Sequence, residues 1–137
     1  MIRRLLLVKI LLFFSGLAAY CPTANMLYME KPSGIDPYKK IWNAVCIVES
    51  NCDPLALNPG EQAHGIAQIR PIRLNDFKKR SGISYQIEEM YDIYKSKRVF
   101  YFYAERIGWR NYEQIAKRWN GSGRMTLIYW EKVKKHL

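Results

Sequence analysis

From residue 36 onward the apolar residues of this chain return every third or fourth position, and each such segment is closed by glycine, proline or asparagine. That spacing puts one apolar stripe on each of several helices, so the chain has to bury helix against helix. Ile41, Val45 and Val48 form the first stripe, joined by Trp42 and Cys46, with Asp36-Pro37 as its expected start and Asn51 to Pro54 as its stop. "PLALNPGEQAH" reads as an irregular loop and "GIAQIRP" as a short extended stretch. A helix is expected from Pro71 to Arg80, stopped by Ser81 and Gly82. Asp92 caps the longest pattern, which carries Val99, Phe100, Phe102, Tyr103 and Ile107 and ends at Gly108. Asn111 and Gln114 resemble a capping box before Ile115, Ala116 and Trp119. Thr126 is expected to cap a last helix carrying Tyr129, Trp130, Val133 and Leu137. No repeat and no hairpin stand out, so the fold class expected is a mainly α single domain over 36–137.

The N-terminal end follows a different rule. Residues 1–19, "MIRRLLLVKILLFFSGLAA", have basic residues, an apolar run and small residues in that order, the pattern of a secretory signal. A retained membrane anchor is the alternative. Residues 20–35 have the Pro and Gly content of a tether. Arg3, Arg4 and Lys9 are the charged residues of the signal, so the remaining chain keeps 19 of 22 Lys and Arg against 12 Asp and Glu, a formal +7 where the whole chain has +10. Such a protein, exported to the periplasm or the medium, would associate with anionic polymers. The basic runs "FKKR", "YKSKR" and "EKVKKHL" are most simply solvated helix faces. Nucleic acid as a partner does not fit export.

Against this background Glu49 stands out. It lies four residues after Val45 and seven after Trp42, on the stripe that should be buried. A carboxyl group there holds its proton near neutral pH and can serve as a general acid and then a base. The alternative is a solvated residue in the last helical turn. Cys46 and Cys52 bracket it, either as a disulfide or as two free thiols. His64 and His136 form no triad with a marked Ser or Cys, no metal-ligand spacing occurs, and no cofactor is implied.

Four short motifs decide between the readings of Glu49. "ESNCDPLALN", "GIAQIRP", "RWNGSG" and "TLIYWEKV" follow one another in the order seen in lytic transglycosylases related to soluble lytic transglycosylase and goose-type lysozyme. That family shows a Glu-Ser pair at a helix end, then G-L-M-Q-I-x-P, then A-Y-N-x-G, then a Tyr in the last helix. The chain resembles it at Glu49 and Ser50, at Asp53, Pro54 and Ala56, at Gly65, Gln68, Ile69 and Pro71, at Asn120 and Gly121, and at Tyr129. Trp119 stands where the family has tyrosine, Ala67 where methionine is common, and "GSG" departs from the usual ending.

The resemblance implies a lysozyme-like fold with a glycan cleft between two lobes. It implies Glu49 as the single catalytic acid and base, cleaving the bond between N-acetylmuramic acid and N-acetylglucosamine in peptidoglycan and leaving a 1,6-anhydro end. By position Ser50 should orient the glutamate or an N-acetyl group, Gly65 should let the backbone approach the sugar, Gln68 and Asn120 should bind substrate, Trp119 should stack on a sugar, and Tyr129 should reach Glu49. The expected protein is a monomer acting on glycan strands, in wall recycling, in a phage-related role, or beside a secretion or conjugation apparatus, with no membrane span after signal removal. A water-using muramidase would need a second carboxylate, for which Asp53, Glu61 and Asp76 are candidates. A noncatalytic wall binder is the alternative from another class.

Overall fold

The computed structural model describes residues 34–137, so the signal segment 1–19, Cys21 and the tether as far as residue 33 lie outside the described residues. Asp36 to Leu137 form one compact unit, and it is mainly helical, as the periodicity predicts. Helices α1 (Lys39–Ser50), α2 (Pro71–Ser81), α3 (Ile93–Ile107), α4 (Tyr112–Asn120) and α5 (Met125–Lys134) are joined by segments that include a small two-stranded hairpin and a 3₁₀ turn at Ile87–Tyr91. Among the described residues no helix is long and apolar enough to cross a membrane.

Helix α3 is the centre of the packing. Its Val99, Phe100 and Ala104 are fully buried, and the Phe100 ring meets Trp42 of α1 at 5.3 Å and Trp119 of α4 at 4.9 Å between centroids. Tilted and edge-to-face contacts of this kind add to the burial of the rings themselves. The helix starts where the sequence places it, because the Asp92 carboxylate accepts the backbone N–H groups of Tyr94 and Lys95. Helix α2 likewise opens on Pro71 and closes on Gly82 in a left-handed conformation.

Other boundaries differ from the sequence reading. Helix α1 begins two to three residues after Asp36-Pro37, because Asp36 folds a turn of its own: its carboxylate accepts the Tyr38 N–H at 3.1 Å and the Tyr101 hydroxyl at 2.6 Å. Asn111 does open α4, but it makes no side-chain cap with the helix, so no capping box with Gln114 exists. The reciprocal pair forms instead at the 3₁₀ turn, between Gln86 and Glu89. Thr126 sits inside α5 rather than capping it, with its hydroxyl donating back to the Gly123 carbonyl at 2.7 Å.

The loop after α1 holds a hairpin that does not stand out in the sequence. β1 (Leu57–Asn58) and β2 (Ala63–His64) pair antiparallel, with Leu57 opposite His64 and Asn58 opposite Ala63. The Asn58 side chain accepts the Gly60 N–H at 3.1 Å, an Asx turn that reverses the chain after Pro59. "GIAQIRP" is not extended either. His64 and Ile69 exchange backbone hydrogen bonds, each 3.0 Å long, around a tight loop in which Gln68 has φ 48°.

Candidate active site

Helix α1 presents Ile41, Trp42, Ala44, Val45 and Cys46 to the core. Glu49 follows one turn later, just before the chain leaves the helix. Asn51 and Cys52 both take left-handed conformations, with φ 54° and 64°, and their N–H groups bond to the carbonyls of Ile47 and Cys46. This cap turns the chain sharply and leaves Glu49 half-buried at the helix end rather than splayed into solvent. Tyr129 reaches the same point from α5. It is only 7% exposed, and its hydroxyl donates a 2.7 Å hydrogen bond to Glu49 Oε1.

Burial dominates the electrostatics here. It pushes the Glu49 carboxyl up to about 7, against the pull of the Tyr129 hydrogen bond and of the Arg70 and Arg73 charges, with the Glu61 charge adding to the rise. Burial and the neighbouring Glu49 push the Tyr129 phenol upward as well, so it remains a donor. Because Tyr129 donates to Oε1, Oε2 is the oxygen placed to carry a transferable proton. Near neutral pH the pair therefore holds a proton that can be given up or taken back.

Glu49 opens into a small polar recess of about 90 Å³, lined also by Glu61, Gln68, Ile69, Arg70, Arg73, Trp119 and Asn120. Gln68 is fixed by two bonds from its amide nitrogen, 3.0 Å to the Gly65 carbonyl and 3.3 Å to that of Ala56. Its amide oxygen is therefore the group it can offer a ligand. Glu61 arrives on the hairpin tip. Arg73 is held tightly: its guanidinium lies 4.8 Å from the Tyr103 ring centroid and 5.0 Å from that of Trp119, and Nη2 donates to the Trp119 and Arg118 carbonyls at 2.8 and 3.2 Å. It thereby ties α2 to the C-terminal end of α4, where Asn120 sits.

Of the residues singled out in the sequence, Glu49, Gln68, Trp119 and Asn120 line the recess, and Tyr129 bonds to its acid. The others take different positions. The Ser50 hydroxyl makes no hydrogen bond to Glu49: it donates to the Ile66 carbonyl at 2.7 Å and to that of Cys46 at 3.3 Å, fastening the loop 65–69 to α1. Gly65 is required by packing, since with φ 76° a Cβ there would stand 1.9 Å from the Met90 carbonyl oxygen. Trp119 borders the recess but is only 6% exposed, with its ring set against Phe100 and covered by Arg73, so most of its surface serves the core.

Among the described residues Cys46 and Cys52 form no disulfide. Cys46 is buried in the core and Cys52 is exposed, and burial raises the Cys46 thiol far above the ordinary range. Among the described residues no cluster of His, Cys, Asp and Glu suited to a metal ion is present.

Of the candidates for a second carboxylate, Glu61 is the one at the recess. Asp53 is exposed and accepts the Leu55 N–H at 2.8 Å, and Asp76 is engaged by Tyr103 at 2.8 Å and Arg80 at 2.9 Å. Arg70 and Arg73 went unrecognised in the sequence. Their signal was spacing: Arg73 lies one helical turn after Arg70, across Pro71, in the direction that carries both toward one place.

No family model, no curated protein and no solved structure was found to match the chain.

Proposed function

We propose that this chain is an exported, lysozyme-like lytic transglycosylase that cuts the glycan strands of peptidoglycan between N-acetylmuramic acid and N-acetylglucosamine. The observation that carries the reading is the Tyr129–Glu49 pair: a half-buried carboxylic acid, held near neutrality, facing a polar recess built by the motifs that resemble the family. Glu49 protonates the bridging oxygen, and that oxygen leaves with the electrons of its bond to C1. The muramic residue's own 6-hydroxyl then closes on C1 and passes its proton to the Glu49 carboxylate. Glu49 regains its proton, no water is consumed, and the product carries a 1,6-anhydro ring. Gln68 and Asn120 border the space the sugar would fill and can hydrogen-bond it.

Glu61 supports a second reading. A second carboxylate at the recess is what a water-using muramidase requires. Digestion of purified peptidoglycan with mass analysis of the products separates the readings. Anhydro ends are the expected result, reducing ends identify a muramidase, and no release identifies a noncatalytic wall binder. Glu49→Gln is expected to abolish cleavage and retain glycan binding. Glycan strands are the partner of this reading, in wall recycling, in a phage-related role, or at a secretion or conjugation apparatus.

A further inference from the structure

The recess holds two arginines that the acid chemistry does not require. Arg70 and Arg73 line it beside Glu49, and they are near enough that the Arg70 charge works against that of Arg73. Among the described residues neither takes part in an ion pair. Glu61, the other carboxylate of the recess, sits exposed on the hairpin tip and pairs with neither.

Arg73 is also preorganised. Two aromatic rings fix its guanidinium plane, two hydrogen bonds leave from Nη2 and the Tyr103 hydroxyl interacts with it, which leaves part of its five-donor fork for another acceptor. Arg70 is set by the backbone, as the extended residue that precedes Pro71 at the start of α2. Two like charges held side by side and partly out of water are costly unless an anion joins them. A guanidinium's fork of donors matches the two oxygens of a carboxylate.

We infer that Arg70 and Arg73 form a carboxylate subsite beside Glu49, which takes an acidic group of the glycan substrate close to the bond being cut. This rests on Glu49 being the acid of a glycan-cleaving recess. A guanidinium pair of this kind takes a single carboxylate rather than a whole peptide. Two sources in peptidoglycan supply one: the lactyl carboxylate of muramic acid, free where the stem peptide has been removed, and the carboxylates of the stem itself.

The test compares wild type with Arg70→Gln on intact strands, on strands stripped of stems, and on both after their carboxylates are converted to amides. A charge-assisted hydrogen bond lost from this position predicts a fall of about tenfold in kcat/KM on carboxylate-bearing strands. A loss confined to stripped strands assigns the lactyl carboxylate, and one confined to intact strands assigns the stem. Amidation should bring the two proteins together. An equal loss on amidated strands, or no loss on any substrate, overturns the subsite. If wild type cleaves nothing, the proposed activity fails separately, and affinity for the same strands still decides the subsite: about tenfold weaker in Arg70→Gln if it exists, unchanged if it does not.

Discussion

The Tyr129 hydroxyl lies 2.7 Å from Glu49 Oε1 although 80 residues separate them in sequence, so the last helix sets the proton affinity of a group at the end of the first. The bond favours the charged carboxylate and lowers a proton affinity that burial has raised to about 7. Tyr129→Phe should therefore move the Glu49 titration upward. One hydrogen bond of about 1 kcal/mol corresponds to somewhat less than one pH unit. Carbon NMR of labelled glutamate reads this directly, with no assumption about substrate, and the alkaline limb of any cleavage should move the same way. A titration that stays in place or falls would show that the hydroxyl does not stabilise the charged form.

The same raised proton affinity makes stability depend on pH. Glu49 binds its proton near pH 7 when folded and near the ordinary 4.5 when unfolded. Its protonation therefore favours the folded state fully below about pH 4.5, and that contribution is lost as the pH rises through 7. Glu49→Gln is neutral throughout and keeps the shape of the side chain. At pH 4 its Tm should match wild type. At pH 8 it should be higher by several degrees, reflecting up to about 3 kcal/mol of relieved charge burial. Thermal denaturation at the two pH values measures the difference, and equal Tm values at pH 8 would mean that Glu49 is not held in a desolvated place.

Gly65 offers a test of how the recess is built. Alanine there would force a Cβ to within 1.9 Å of the Met90 carbonyl at a φ of 76°. The Met90 carbonyl cannot easily retreat, because the buried Ser96 hydroxyl donates to it at 2.6 Å. The loop 65–69 must shift instead, pulling Ile66 from Ser50 and Gln68 from its carbonyl partners. Gly65→Ala should lose more than about 3 kcal/mol in denaturant unfolding, and a loss below about 1 kcal/mol would mean the loop is not clamped as described.

How legible the fold was depended on the range of the forces involved. Asp92 and Gly108 bound α3 as expected, because a carboxylate cap and a glycine stop act within one turn and leave a local sequence signal. Glu49 was marked by the same local rule, as a charge on an apolar stripe. The hairpin carried no such signal, since two strands of two residues show no alternation, and the Asx turn at Asn58 looks like any Asn-Pro-Gly loop. Thr126 has the composition of a cap, yet tertiary packing buries it inside α5. Trp119 shows a related limit: how much of its ring faces the recess or the core is settled by Phe100 and Arg73, which lie far from it in sequence. Arg73 was missed because its importance comes wholly from long-range partners, Tyr103 and the end of α4.

Glu61 separates the two catalytic readings. It is exposed at the rim of the recess, and its charge adds to the raised proton affinity of Glu49. If the muramic 6-hydroxyl is the nucleophile, Glu61 serves only as a distant charge. Glu61→Gln should then lower the Glu49 titration slightly, draw the alkaline limb of the rate profile down with it, and leave the rate at pH 5.5 within about threefold of wild type, with anhydro ends still formed. If Glu61 instead activates water, it supplies general-base catalysis worth about 100-fold or more, and the substitution should remove that factor together with the reducing-end products. Rates at pH 5.5 and product masses from one digestion series distinguish these outcomes, because a screened surface charge shifts a titration whereas a catalytic base sets the size of the rate.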